Sequence, residues 1–154
     1  MKNFFKELLE YTHHYNNAII HVLISNEDKV SEKMLQLMSH IINAHQIWNT
    51  RFKTKKQMLP APWSNHAITN LANMENENFN QSLYALDTND LNALIEWQSL
   101  TGSNFKSSMQ DILFQIVNHI NYHRAQIATE FRLKGLDPIL TDFIYYKMSG
   151  IVID

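Results

Sequence analysis

"SSMQDILFQIVNHINYHRAQIATEFRLKG", residues 107–135, is the stretch whose reading decides the fold. Its apolar residues Ile112, Leu113, Ile116, Ile120, Ile127 and Phe131 return at three- and four-residue steps, which sets them along one face of a long helix. Gly135 ends the pattern, with Pro138 just beyond it. At the edge of the apolar stripe stand His119 and His123, with Gln115 and Gln126 on the same side. Imidazoles at i and i+4 lie one turn apart and can ligate one ion together. Eight histidines placed at random in 154 residues would give about 0.4 such pairs, so the spacing alone identifies nothing. A site needs a third ligand from another helix.

Upstream, Phe5, Leu8, Leu9, Tyr15, Ile19, Val22 and Leu23 mark a first helix between Phe4 and Ile24, with His14 and His21 on its solvated side. Ser31 is placed to cap a second helix running to about Phe52. "KKQMLPAPW" carries two prolines and reads as a loop. Ile68, Leu71, Ala72, Phe79, Leu83 and Leu86 mark a third helix, whose apolar face also carries Glu75. A carboxylate there must be paired or reach water, so Glu75 is a rim residue or a site residue. In residues 92–106, Ile95, Trp97 and Ser99 alternate and Gly102 supplies a turn, which predicts a short hairpin. "TDFIYY" makes a last capped turn or short helix. The expected architecture is an all-α four-helix bundle, one domain over residues 1–154, with a short β-hairpin between helices three and four.

Composition narrows the function. The chain contains no cysteine, which excludes disulfides, thiolate metal ligands and a cysteine nucleophile; thiol chemistry would need a thiol from outside. A formal net charge of -2 offers no general attraction to nucleic acid. The one basic cluster, Arg51 to Lys56, reads as a solvated helix end. The N-terminus lacks a secretory pattern, and the longest apolar run, around "AIIHVLI", is far short of a bilayer span, so a soluble, unprocessed, cytoplasmic protein with no membrane partner is expected.

Helix two offers two further imidazoles. Periodicity places His45 in the middle of the stripe of Met34, Met38, Ile41, Trp48 and Phe52, while His40 lies at its margin. Pattern alone favours His45, although an accessible metal is well served by a margin position. Met34, Met38 and Trp48 themselves read as core packing. Taken together, "SHIINAHQIW", "NHINYHRAQIA" and "GLDPILTDFIYY" resemble the DinB/YfiT-like metalloenzymes, the DinB family, in order and over nearly the whole chain. The resemblance implies a four-helix bundle, commonly a homodimer, with a divalent metal held by three histidines, here His40, His119 and His123. His40 is preferred because its separation from Trp48 matches the family's histidine-to-tryptophan spacing; His45 is left as a core histidine or a partner to the ligands. Ala125 stands where many members have glycine, a difference expected to alter packing.

Three neutral imidazoles suit zinc or nickel, with iron or copper as further options, and leave a coordination position open. The motif HINYH lacks the glutamate of HExxH, which argues against a protease. Glu75, Glu96, Glu130, His45 and Tyr122 are candidate proton acceptors that the sequence does not rank. Relatives that transfer low-molecular-weight thiols point to a small-molecule substrate, with thiol transfer ahead of hydrolysis. The alternative is a non-enzymatic metal-binding or stress-related bundle.

Overall fold

The computed structural model describes residues 1–53, 58–99 and 101–148. Four long helices, α1 (Lys2–Ser25), α2 (Glu32–Thr50), α3 (Leu71–Thr88) and α4 (Met109–Leu133), form the bundle. Strands β1 (Leu94–Gln98) and β2 (Asn104–Ser108) intervene between α3 and α4, and a short α5 (Phe143–Met148) follows. Helix α2 packs against α4 and α3, and α1 against α3 and α4, so the ring around the core runs α1, α3, α2, α4.

Each boundary has a local cause. The Ser31 side chain accepts from Met34 N and starts α2. Ser108 does the same for Asp111 N, while the Asp111 carboxylate accepts from Ser108 N at 3.1 Å, which closes a capping box. Two further N–H groups of that turn are met by the chain entering the hairpin: Met109 N donates to Ala93 O and Gln110 N to Leu91 O, both at 3.0 Å. Gly135 ends α4 with φ +67°, a conformation that glycine adopts without the Cβ penalty. Gly102 plays the same part at the hairpin turn with φ +91°.

The core is continuous along α2 and α4. Met34, Met38, Ile41 and Ile42 pack with Ile116, Ile120, Ile127 and Phe131, and Ile19, Ile20 and Leu23 of α1 complete the cluster. A second cluster gathers Phe5, Leu8 and Leu9 with Leu86, Leu113 and Val117. Full burial of each such side chain contributes about 1.5–3 kcal/mol. The hairpin is antiparallel with Trp97 opposite Phe105, and Trp97 meets Trp48 of α2 edge to face at 5.1 Å.

Three expectations need correction. Glu75 is no rim residue: it is 0% exposed. Its carboxylate accepts from Asn16 Nδ2 at 3.1 Å and faces His13 Nδ1 at 3.3 Å, so partners on α1 satisfy what the helix wheel alone made look costly. Arg51 is not a solvated helix end either, since its guanidinium folds over Trp97 at 5.3 Å. Lys53 of that cluster is exposed, as the reading expects; Thr54 to Lys56 lie outside the described residues, as does the start of the proline loop at Lys55 to Gln57. Ala125 is exposed, so its methyl group meets solvent and leaves the packing unaltered.

Ile41 sits in the middle of the α2–α4 contact and is fully buried. Ile41→Ala is expected to lower the unfolding free energy by about 2–5 kcal/mol in urea titrations; a loss below about 0.5 kcal/mol would show that this contact does not carry the bundle.

Candidate metal centre

The α2–α4 contact brings three imidazoles together. His40 and His123 are each 6% exposed and His119 is half-buried; one ring nitrogen from each lies within 4.8 Å of the others. Among the described residues this is the one group of three or more His, Cys, Asp or Glu side chains that close. His119 and His123 project from successive turns of α4 and meet edge to face at 4.5 Å, while His40 reaches across from α2, 5.2 Å from the His119 ring and 4.5 Å from the His123 ring.

The outer nitrogens of two rings are already engaged. His40 Nδ1 lies 2.8 Å from Pro62 O, and a carbonyl can only accept, so Nδ1 carries the proton and Nε2 keeps its lone pair. His123 Nδ1 lies 2.8 Å from Gln126 Oε1, which fixes the same tautomer and again frees Nε2. This is the arrangement by which a carbonyl orients a metal-ligating histidine. Across the helix interface His40 Nε2 and His119 Nε2 stand 3.1 Å apart. Two nitrogens bound to one ion at about 2.0–2.1 Å in a tetrahedral shell would be about 3.3 Å apart. The donors present therefore fit a divalent cation.

For His119 and His40 the electrostatics favour the neutral, ligating form. Burial lowers the proton affinity of His119 to a pKa of about 4, and His123 and His40 push it in the same direction. His40 is lowered as well, chiefly by burial, against the opposing pull of Pro62 O. Gln126, placed by the sequence on the ligand side of the helix, is the His123 partner; Gln115 has no such contact with the three rings.

Around this group lies a wall of which the sequence offered Tyr122 as a candidate and missed Trp63. Trp63 stacks on His40 with ring centres 3.6 Å apart and planes at 6°. Tyr122 is 64% exposed and meets His123 edge-on at 5.0 Å. Two buried polar residues on helix two, Ser39 and Asn43, were the available signal, because a polar side chain inside a stripe needs a partner from some other segment.

His45 is elsewhere. It is buried against α3, where its Nε2 lies 2.8 Å from Ser82 Oγ, and it takes no part in the three-histidine group. The three candidate glutamates are also separate, which leaves Tyr122 as the one proton-acceptor candidate beside the rings: Glu75 faces His13, Glu96 pairs with Lys106 on the hairpin at 2.9 Å, and Glu130 accepts from Ser31 Oγ at 3.4 Å. His14 and His21 are exposed, as their wheel positions predicted. Arg124, next to His123, is buried; it lies over the Tyr11 ring at 4.7 Å and donates to Asn121 Oδ1. The Tyr11 hydroxyl, 3.0 Å from Asn121 Oδ1 and 2.5 Å from Thr141 O, ties α1 to α4 and to the C-terminal segment.

Residues 1–151 match the model of the DinB family. The chain belongs to the DinB family. No curated protein and no solved structure matches it. The DinB match spans every element of the bundle, and the three histidines expected from the resemblance are the ones that the α2–α4 packing gathers. No helix among the described residues is long and apolar enough to cross a membrane.

His45 gives this DinB bundle a predictable pH response. Complete burial lowers its pKa from the ordinary 6.5 to about 4, against the opposing pull of Glu75. Between those values the unfolded chain takes up a proton that the folded chain refuses. The contribution is therefore fully present above about pH 6.5 and lost as pH falls through about 4, on the order of 3 kcal/mol in all. In chelator-treated protein, His45→Gln should flatten the stability profile between pH 7 and 4.5 relative to the parent; identical slopes would remove His45 from the account.

Proposed function

We propose that His40, His119 and His123 hold a divalent metal ion, zinc or nickel by preference, and that the protein is a metal-dependent enzyme acting on a small molecule. The observation that carries this reading is the free lone pair on Nε2 of His40 and of His123, each left by a carbonyl at the opposite nitrogen, in a group of three rings that bring one nitrogen each within 4.8 Å. Three protein ligands leave room for an incoming molecule, the arrangement of catalytic rather than structural sites. When bound, the ion supplies Lewis acidity to whatever occupies that remaining position.

The reaction class follows from what surrounds the rings. No carboxylate joins the group among the described residues, and the candidate glutamates are engaged elsewhere. Hydrolysis calls for a base to take a proton from water, whereas a thiol, with a pKa near 8.5, ionises with far less help. We therefore place transfer of a low-molecular-weight thiol ahead of hydrolysis. In that reaction the sulfur forms the new bond to an electrophilic carbon, the leaving group departs with the bonding pair, and the thiol proton passes to solvent. The chain, lacking cysteine, supplies no competing thiolate. Its own residues hold and orient: His40 and His123 stay in one tautomer, and Trp63 and Tyr122 flank the rings.

Elemental analysis of tag-free protein should give about one divalent ion per chain, lost in His40→Ala, His119→Ala and His123→Ala and retained in His45→Ala. Metal kept by His40→Ala and lost from His45→Ala would overturn the ligand assignment. For the reaction class, cellular thiols should shift the visible spectrum of cobalt-substituted protein. If none does while ester or amide substrates turn over, hydrolysis replaces thiol transfer; a metal-loaded protein inert to both panels is a non-enzymatic binder.

A further inference from the structure

The segment from Ala61 to His66 is tied to one face of α2 by a run of polar contacts. His66 N donates to Ser39 Oγ at 3.1 Å, Asn43 Nδ2 donates to Ser64 O at 2.8 Å, and His66 Nε2 donates to Asn43 Oδ1 at 2.6 Å. Ser39 and Asn43 flank His40 on the same helix and are fully buried, so the strap is anchored beside the very residue it covers. On His40 it makes two further contacts at once. Pro62 O accepts the hydrogen bond from Nδ1–H, and Trp63 lies face to face on the ring at 3.6 Å. The indole also meets the His123 ring edge-on at 6.0 Å, and it remains 49% exposed.

Such a strap meets two needs of a histidine ligand. The terminal torsion of histidine is broad and nearly two-fold, so an unrestrained ring turns over and exchanges Nδ1 with Nε2; the carbonyl at one edge and the indole on one face remove that freedom. An imidazole that donates to a dication also gains positive charge, which the electron-rich indole face attracts. The stack therefore favours the ligating state over the free one.

We propose that Trp63 is a positioning residue for the metal: through its stack on His40, and with Pro62 O at the ring edge, it sets the plane and tautomer in which His40 ligates. The assignment rests on His40 being a ligand, as argued above. It does not depend on which reaction follows.

Cobalt(II) alone serves as the probe, with affinity measured on the full chain by competition with a chromophoric chelator. Trp63→Ala should weaken cobalt binding by about 10- to 100-fold, the range found when an outer partner of a ligand is removed. It should also alter the cobalt absorption bands, which a purely structural role would leave in place. Trp63→Phe keeps a flat face over the ring and should recover most of the affinity and the parent spectrum. Because the indole is half exposed, the thermal unfolding of chelator-treated Trp63→Ala should stay close to that of the parent. Parent and Trp63→Ala binding cobalt with equal affinity and equal spectra would overturn the positioning role and leave the metal reading intact. A parent protein that takes up no cobalt would overturn both.

Discussion

The site depends on the packing of α2 against α4. Helix axes in contact lie about 8–10 Å apart, and an imidazole from each side of such a gap reaches just far enough for the nitrogens to meet. Met38, Ile41 and Ile42 on one helix and Ile116 and Ile120 on the other hold that separation. His40 and His119 then face each other nitrogen to nitrogen at 3.1 Å. His40 Nε2 is the acceptor of that pair, so without metal a neutral His119 carries its proton on Nε2 and donates it there, and a cation bound between the two nitrogens takes that proton's place. Apolar burial thus supplies the force that keeps the rings crowded, and crowding and desolvation favour the neutral form of His40 and His119.

Away from the three histidines the bundle encloses a second polar interior that works differently. Glu75, His13 and Asn16 form one group, Arg124 with Tyr11, Thr12 and Asn121 another, and His45, Ser82 and Asn49 a third. Each group joins side chains from different helices, and Arg124 also reaches the backbone of α1 at Thr12 O. Polar contacts of this kind are directional, so they penalise sliding or rotation of one helix past another more sharply than apolar packing does. Arg124 adjoins His123 and points roughly 100° away from it around the helix. Burying the guanidinium toward α1 leaves the imidazole facing α2.

Much of the architecture was legible because it rests on patterns that repeat. The stripes of all four long helices, the Ser31 cap, the hairpin about Gly102 and the stop at Gly135 are local signals, and each stands where the sequence predicts it. Ends were displaced by a residue or two: α2 stops at Thr50 rather than Phe52, and Ser107 belongs to β2 rather than to α4. The His119–His123 pair was visible for the same reason. Between His40 and His45 the helix pattern favoured His45 and only the family's spacing favoured His40, since both face inward and the wheel does not say which neighbour each meets. His45 met Ser82 of α3, and His40 met α4 and the strap. Trp63 and Pro62 were read only as loop, because their role depends on contacts across more than twenty positions of sequence, for which no periodicity exists.

Ser108 is at once the last residue of β2 and the cap of α4, with no linker between strand and helix. The first turn of α4 is also bonded to Ala93 and Leu91 at the start of the hairpin. Such a junction has no slack in which to absorb a change of chain length. One residue inserted there would turn everything downstream by about 100°, carrying both imidazoles of α4 off the facing helix while the apolar stripe tried to follow the core. The small sheet, remote from any chemistry, is thus the angular datum from which the two histidines are clocked.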